Sequence, residues 1–547
     1  MTAEQQEKKG RRSWLGRVFK VLGVLLLIAL IGYVWPDEQI EVGLETTYVT
    51  GPLDDEGYVD YLAVINAKAK RGVTPENNGA VLYWQAMGPE YGPLAPDWQK
   101  IFYGEIGMEV PPEEGDYLEP FNDFVSGDWV PLEELADQES DEKFDEEGAG
   151  LDAERSSDDL WDRRAELMNT PWSTEDDPAM ARWIARNDSS LDKFIEGTRR
   201  SHFYVPLIRV DPPAQPTEPH PPVLHAEEYG HKLLEVSRAL ATRAMFRVGS
   251  GQYEAAWQDT LAAMRLTRQS ASDKSLVHAL VNVAQFQIAL QTIPPLLHEG
   301  QLSIEQIRSM QREFDEVAHR ASISQALDWG ERIGQLDMMQ AMDRYTQPLS
   351  RRVPRGGLDW NFILRSTNER IDRMVTTVAA YEANTPLPED PLDIEEVHAW
   401  AKRVFSFSNC WKYPFSRNRR SEIWRDMLQA MIFPAIITSY STVLEVDNAD
   451  RQTRVAFALS LFRAEHGQYP ESLDALVPIY LKAVPSDRWD ADEKPMRYRR
   501  EGDGYVVYSV GRDAEDDEGL LDGEAYEDDE GFRLPGKLSP LQTVAEE

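Results

Sequence analysis

From Val21 to Trp35 the chain is an almost unbroken apolar run, and Lys8, Lys9, Arg11, Arg12, Arg17 and Lys20 precede it. Counted from Trp14, the run is about one bilayer's worth of helix, with Arg17 and Lys20 able to reach back to the headgroups. Trp14, Tyr33 and Trp35 stand where interfacial aromatics belong. The basic residues lie before the run and Pro36-Asp37-Glu38 after it. The positive-inside bias therefore makes residues 1–36 a cytoplasmic tail and transmembrane anchor, a signal-anchor that exports everything beyond. A cleaved signal peptide is the competing reading, but Ile31-Gly32-Tyr33-Val34-Trp35 is too bulky for a small-x-small cleavage site. The expected location is the inner (cytoplasmic) membrane, single-pass, with the bulk of the chain on the periplasmic side.

An exported chain of 547 residues has room for two to four domains. With 42% hydrophobic residues and 15 tryptophans it buries real cores, so global disorder is excluded. The net charge of -38 repels phosphate backbones and argues against a nucleic-acid partner. A single cysteine, Cys410, rules out an intrachain disulfide and a cysteine-based zinc knuckle. It reads as a packing residue.

Past the anchor, residues 37–104 read as a tether followed by helices, the first from Tyr58 to Ile65. The next is expected to start at Thr74 as N-cap, with Pro75 and Glu76 in its first turn. Residues 105–159 are rich in Gly, Pro and acids, and from Asp137 to Asp159 carboxylates crowd the chain. Such a segment reads as a flexible acidic insert, although Tyr117, Phe121, Phe124 and Trp129 offer local docking. Residues 160–222 return to helices and close on a proline-rich connector, Pro206 to Pro222. Residues 223–446 form the helical body. One long helix is expected to end at Val248-Gly249-Ser250-Gly251, and an antiparallel partner returns through Tyr253, Trp257 and Leu261. This pair resembles a tetratricopeptide hairpin. A second pair turns at Glu299-Gly300-Gln301, yet its distance from the first turn exceeds the roughly 34-residue period of a true array. Stacked hairpins of this kind present a surface to protein partners. The apolar stretch Glu422 to Val446 reads as a buried core helix in preference to a second membrane pass, because it holds Asp426, Pro434 and Thr438-Ser439.

Catalytic signatures are lacking. The chain has no Gly-x-Ser-x-Gly elbow, phosphate loop, dinucleotide fingerprint or His-Glu-x-x-His. His225, Glu228 and His231 would share a helix face, but their spacing matches no zinc-enzyme signature. No catalytic or cofactor-binding residue is therefore assigned.

The last ninety residues carry the one specific chemical reading. A short apolar helix runs into Gly467-Gln468-Tyr469-Pro470, then Leu473 and Leu476, Pro485-Ser486-Asp487, and Ser509-Val510-Gly511-Arg512-Asp513. Asp513, Asp516 and Asp517 supply carboxylates and Ser509 a hydroxyl or carbonyl. That is the kind of oxygen set a hard divalent cation takes, and Gly511 lets the loop bend. In order and spacing these residues resemble the soluble domain of a major pseudopilin of the type II secretion system, whose last loop holds calcium. The resemblance implies a small α+β module at 447–535, with 536–547 as a tail, and calcium as its cofactor through Ser509, Asp513, Asp516 and Asp517. The anchor lacks the Phe-Thr-Leu-Ile-Glu signature of those proteins. The whole chain also resembles a planctomycete-type family of membrane-anchored proteins, through Gly72-Val73-Thr74-Pro75-Glu76-Asn77, Ala256-Trp257-Gln258-Asp259 and the C-terminal module. That resemblance implies an envelope location and no particular activity.

The expected fold class is mainly α: an N-terminal transmembrane helix, a tetratricopeptide-like helical-hairpin body, and a small C-terminal α+β pseudopilin-like module. The expected function is a membrane-anchored extracytoplasmic scaffold or protein-interaction protein. Two alternatives are an envelope hydrolase with a cleft in the helical body and an accessory of a type II secretion-like machinery.

Overall fold

The computed structural model describes residues 39–89, 96–126, 157–208, 223–270, 276–317, 322–350, 357–385, 417–430, 433–490, 492–521 and 529–535. The predicted anchor and tail lie outside them, as do most of the acidic insert and the proline-rich connector past residue 208. The side chains of His225, Glu228 and His231, and Cys410 entirely, also lie outside.

The fold is mainly helical with one small antiparallel sheet. In chain order the helices are α1 Tyr61–Ala69, α2 Gly79–Met87, α3 Pro96–Ile106, α4 Phe121–Ser126, α5 Ser157–Leu167, α6 Pro178–Thr198, α7 Val223–Gly249 and α8 Tyr253–Ser270. Then follow α9 Leu276–Gln291, α10 Ile293–Glu299, α11 Ile304–Val317, α12 Ile323–Ala326, α13 Arg332–Ser350, α14 Trp360–Ala383, α15 Arg417–Ala430 and α16 Phe433–His466. A single π turn, Leu327–Glu331, joins α12 to α13. The strands are β1 Arg497–Glu501, β2 Gly504–Ser509 and β3 Glu530–Leu534, in the order β1-β2-β3.

Two compact units are formed, each discontinuous in sequence. The first takes the chain up to Lys68 and Ile323–Tyr440; the second takes Ala69–Ile208, His225–Ser322 and Ser441 onward. The stretch read as one helical body at 223–446 is thus divided between the units at residue 322. A linear reading cannot see this, because hydrophobic periodicity marks which face is buried and not which neighbour covers it.

In the first unit, Tyr61, Ile333, Leu336, Met339, Trp360, Ile363, Leu364 and Leu428 pack into one core, with Ile40 and Val42 against it. The segment expected to be a tether is therefore part of this core from its first described residues. Arg332 is buried and finds its partners on α14: it donates to Asn368 Oδ1 at 3.2 Å and to Asp372 Oδ1 at 2.6 Å.

In the second unit, α7 and α8 form the expected hairpin. Gly251, with φ of +73°, makes the turn, while Gly249 still belongs to α7. A Cβ on Gly249 would stand 2.1 Å from the Trp172 carbonyl oxygen, so glycine is what lets the segment between α5 and α6 lie on α7. Asp259, from the Ala256–Asp259 motif, is fully buried on α8. It accepts from Arg243 Nη2 at 2.7 Å and from Arg247 Nη1 at 2.8 Å, which ties the hairpin together. Arg243 also reaches Asp188 and Asp192 on α6. The Asp of that motif is thereby explained as packing chemistry: a buried carboxylate held by two guanidinium groups.

Two local expectations are corrected. The helix expected at Thr74 begins at Gly79 instead, because Asn78 is the N-cap and its side chain accepts from Ala80 N. Thr74 to Asn77 form a turn, with Thr74 N donating to Asn77 Oδ1 at 2.8 Å. The first part of the predicted flexible insert is packed: Phe121 is fully buried, with its ring edge-on to Trp183 at 5.4 Å, and Leu118 is buried beside it in sequence. The aromatics stabilise that part; only 127–156 lies outside the described residues.

Among the described residues one helical stretch, Leu276–Glu299, is long and apolar enough to cross a membrane, and it is 67% buried inside the protein. It contains α9 and α10 and is a core element of the second unit. The Glu422–Val446 stretch divides into α15 and α16, with Pro434 in the first turn of α16, where a missing N–H costs nothing.

Candidate functional site: the acidic loop of the C-terminal module

The latter part of α16 carries the module. Val455, Phe457 and Leu459 are fully buried. Phe457 meets Trp257 of α8 and Phe314 of α11 at 6.3 and 5.5 Å between ring centres. After α16, Gly467 takes φ of +79° and turns the chain into Tyr469-Pro470. The Tyr469 ring is buried against Tyr505 of β2 at 4.6 Å. Its hydroxyl accepts from Arg463 Nη1 at 3.1 Å and lies 3.0 Å from His298 Nδ1. Arg463 Nη1 also donates to the His298 carbonyl at 2.8 Å. Burial pushes the Tyr469 hydroxyl up, and burial with the nearby Arg463 charge pushes the His298 imidazole down. The module is thus docked on α10 and α11 through both apolar and polar contacts.

The sheet is built on β2, buried at every position, with the part-buried β1 and β3 on either side. β1 and β2 pair as a hairpin, Arg497 opposite Tyr508 and Glu501 opposite Gly504. β3 adds antiparallel to β2, with Phe532 opposite Val507. β3 lies in what the sequence presented as an acidic tail. Its signal was only the short alternation Phe532-Arg533-Leu534 after a run of acids.

Asp487, in the Pro485-Ser486-Asp487 turn, is the centre of the polar interior. Its side chain is fully buried, and five donors converge on it. Ser509 Oγ donates to Oδ1 at 2.6 Å, Asn448 Nδ2 at 3.1 Å and Trp489 N at 3.0 Å. Val510 N and Arg497 Nη1 donate to Oδ2, each at 3.0 Å. One carboxylate therefore joins α16, the turn, β1 and the end of β2. Arg497 continues the chain of charge: its Nη2 donates to Asp490 Oδ2 at 3.0 Å and its Nε to Asp516 Oδ2 at 2.7 Å. These contacts outweigh desolvation and hold the guanidinium more firmly protonated than usual.

A second buried pair lies nearby. Arg512 Nε donates to Glu445 Oε1 of α16 at 2.6 Å. Burial raises the Glu445 carboxyl, against the Arg512 charge. Glu530, at the start of β3, accepts from Trp489 Nε1 at 3.0 Å, while its other carboxylate oxygen is buried without a partner. Burial, and then the negative Glu445, push its pKa up to about 8. Asp529, also buried, accepts from Gly519 N at 2.7 Å, and burial pushes it up to about 6.

The predicted calcium ligands occupy different surroundings. Ser509 is fully buried, and its hydroxyl donates to Asp487 and accepts from Asn448 Nδ2 at 3.0 Å. Asp516 is exposed, with one oxygen on Arg497 and the other accepting from Glu518 N at 3.1 Å. Asp513 is exposed and accepts from Glu515 N at 3.0 Å. Asp517 is exposed, and its carbonyl accepts from Leu520 N at 3.2 Å. Among the described residues, no three His, Cys, Asp or Glu side chains form a group that could hold a metal. As arranged, this donor set does not fit calcium, which takes six to eight converging oxygens. The cation inside the loop is the Arg497 guanidinium. Asn448, Arg497, Glu445 and Glu530 are the interior residues that sequence reasoning missed, and Asp487, quoted there in its turn, was given no role. An arginine on the strand beside an acidic loop was the available signal. No family model, curated protein or solved structure matches the chain.

Proposed function

We propose that the chain is a single-pass envelope protein, anchored by residues 14–35, with an extracytoplasmic body that acts as a scaffold for protein partners. The carrying observation is how the C-terminal module is held. Phe457, Tyr469, His298 and Arg463 fix it to the helical hairpins, so α7–α11 and the sheet form one continuous unit. The buried polar groups Asn448, Asp487 and Ser509 are engaged in joining helix to sheet, as a rigid presenting surface requires; a general acid or base would need to face a cleft. On this reading the hairpins are tetratricopeptide-like and the terminal module pseudopilin-like, its order of helix, turn, hairpin and further strand supporting that likeness. A role beside a secretion machinery is the second reading, favoured by that order of elements. Calcium enters only as a competitor that would have to draw Asp516 from Arg497.

Crosslinking and pull-down of the full chain from intact envelopes tests the scaffold. Reproducible recovery of the same protein partners is expected. Recovery of none, together with hydrolytic turnover by the purified chain, would favour the enzyme; recovery of secretion components would favour the accessory.

A further inference from the structure

The chain leaves its apolar N-terminal run at Trp35, and only Pro36, Asp37 and Glu38 separate that residue from Gln39. Gln39 is already fixed in the first unit. Its carbonyl accepts from Asn361 Nδ2 at 3.0 Å, and Glu41 N donates to Asn361 Oδ1 at 2.8 Å. Further on, Asn368 Nδ2 donates to the carbonyls of Glu45 at 3.0 Å and Thr46 at 2.9 Å. Residues 39–46 therefore run along α14 from its first turn toward its third. Fully extended, the step from Trp35 to Gln39 spans at most about 14 Å. The Trp360 end of α14 is the end tied to the anchor.

That same end receives the start of α15. Arg420 Nη2 donates to the Gly357 carbonyl at 3.2 Å and Arg417 Nη2 to the Leu358 carbonyl at 3.1 Å. The Asp359 amide donates to Ser421 Oγ at 2.8 Å. The first turn of α15, Arg417-Asn418-Arg419-Arg420, is thus seated at the anchor end: Arg420 is buried as the tie to Gly357, Asn418 is exposed, and Arg417 and Arg419 are partly exposed, Arg419 beside Glu422. In a chain of net charge -38 this stretch is locally basic. The sequence from His398 to Ser421 contains no Asp or Glu, while Lys402, Arg403, Lys412, Arg417, Arg419 and Arg420 are all basic. Negative headgroups attract basic segments close to a membrane helix, within a Debye length.

We propose that the first unit stands on the bilayer by the Trp360 end of α14, with the partly exposed Arg417 and Arg419 of the first turn of α15 against anionic lipid headgroups. This rests on the anchor reading above. It adds an orientation: α14 rises from the surface, and its far end at Ala383 is roughly 35 Å away.

The test uses the full chain in nanodiscs, with Cys410→Ser and a single fluorophore placed through Asn418→Cys or, as comparator, Ala383→Cys. Both positions are exposed. Nitroxide-headgroup lipid should quench the 418 label at least twofold more than the 383 label. The difference should shrink when anionic lipid is replaced by phosphatidylcholine or salt is raised. Equal quenching at both positions, or quenching indifferent to anionic lipid and to salt, would overturn the proposal while leaving the anchor intact. A chain that fails to co-float with the discs would instead remove the anchor reading, and this proposal with it.

Discussion

Replacing Asp487 should expose how much of the C-terminal module depends on one carboxylate. Its five donors comprise a hydroxyl, a side-chain amide, two backbone amides and a guanidinium, and none reaches solvent through it. Bonds to a charged group contribute about 1.5–3 kcal/mol each when removed singly, but they share one acceptor and do not add. Breaking a buried charge pair by deleting one partner costs about 3–5 kcal/mol. Asp487→Ala should therefore cost about 4 kcal/mol. Asp487→Asn keeps the volume, yet its amide group must face either Val510 N and Arg497 or the three donors on the other side, so about 3 kcal/mol is expected. For a unit of this size each kcal/mol moves Tm by about 2 °C, giving losses of about 8 and 6 °C. Scanning calorimetry in detergent measures both. Ser509→Ala removes one of the five donors and should cost only about 1 kcal/mol. An Asp487→Asn protein melting within a degree of the native chain would refute the assignment of Asp487 as the organising group.

Arg497→Gln should lower Tm by several degrees, since it removes the cation that Asp487 and Asp516 face, and Arg497→Lys should recover part of the loss. Millimolar calcium should leave the native Tm unchanged; a clear rise would show that calcium, and not the guanidinium, closes the loop. Glu530 gives a pH dependence with a definite sign. Its folded pKa, about 8, lies above the ordinary carboxyl value of 4.5, so its contribution is complete below about pH 4.5 and is lost as pH rises toward 8. Native Tm should fall across that window and Glu530→Gln should flatten the fall; parallel curves would sink the idea. Gly249→Ala puts a methyl group where the Trp172 backbone stands 2.1 Å away, so a loss of roughly 2 kcal/mol or more is expected, and a neutral result would mean the segment between α5 and α6 lifts freely from α7 there.

What the sequence made legible was local. The α7–α8 hairpin was readable because glycine punctuates two strongly periodic runs, and the β1–β2 hairpin because Gly502-Asp503-Gly504 sits between two short runs that hold tyrosine and, in the second, valine. The acidic loop could be placed along the chain, but the guanidinium that Asp487 and Asp516 face could not. Carboxylate spacing says which oxygens are available and nothing about which cation faces them, and Arg497 belongs to a different strand. The N-cap at Asn78 was missed for a related reason. Thr74-Pro75-Glu76 is a good local start, yet Asn78 also binds the Tyr204 backbone, its Nδ2 donating to the carbonyl at 3.0 Å and its Oδ1 accepting from the amide at 2.8 Å. A tertiary partner more than a hundred residues away decided where the helix begins.

The same distinction bears on how the module should be regarded. Cut at 447, it would keep its sheet and lose Glu445, the partner of Arg512, along with Trp257, Phe314 and His298. Phe457 would lose both of its ring partners, and Tyr469 would lose His298 while keeping Tyr505. Buried polar partners outside the cut would be lost together with the apolar ones, so the two losses reinforce each other. A pseudopilin-like order of elements is therefore compatible with a module that draws part of its stability from the helices it is docked on. Here the helix, turn and hairpin are completed by α8, α10 and α11, and the unit that folds is the one defined by those contacts.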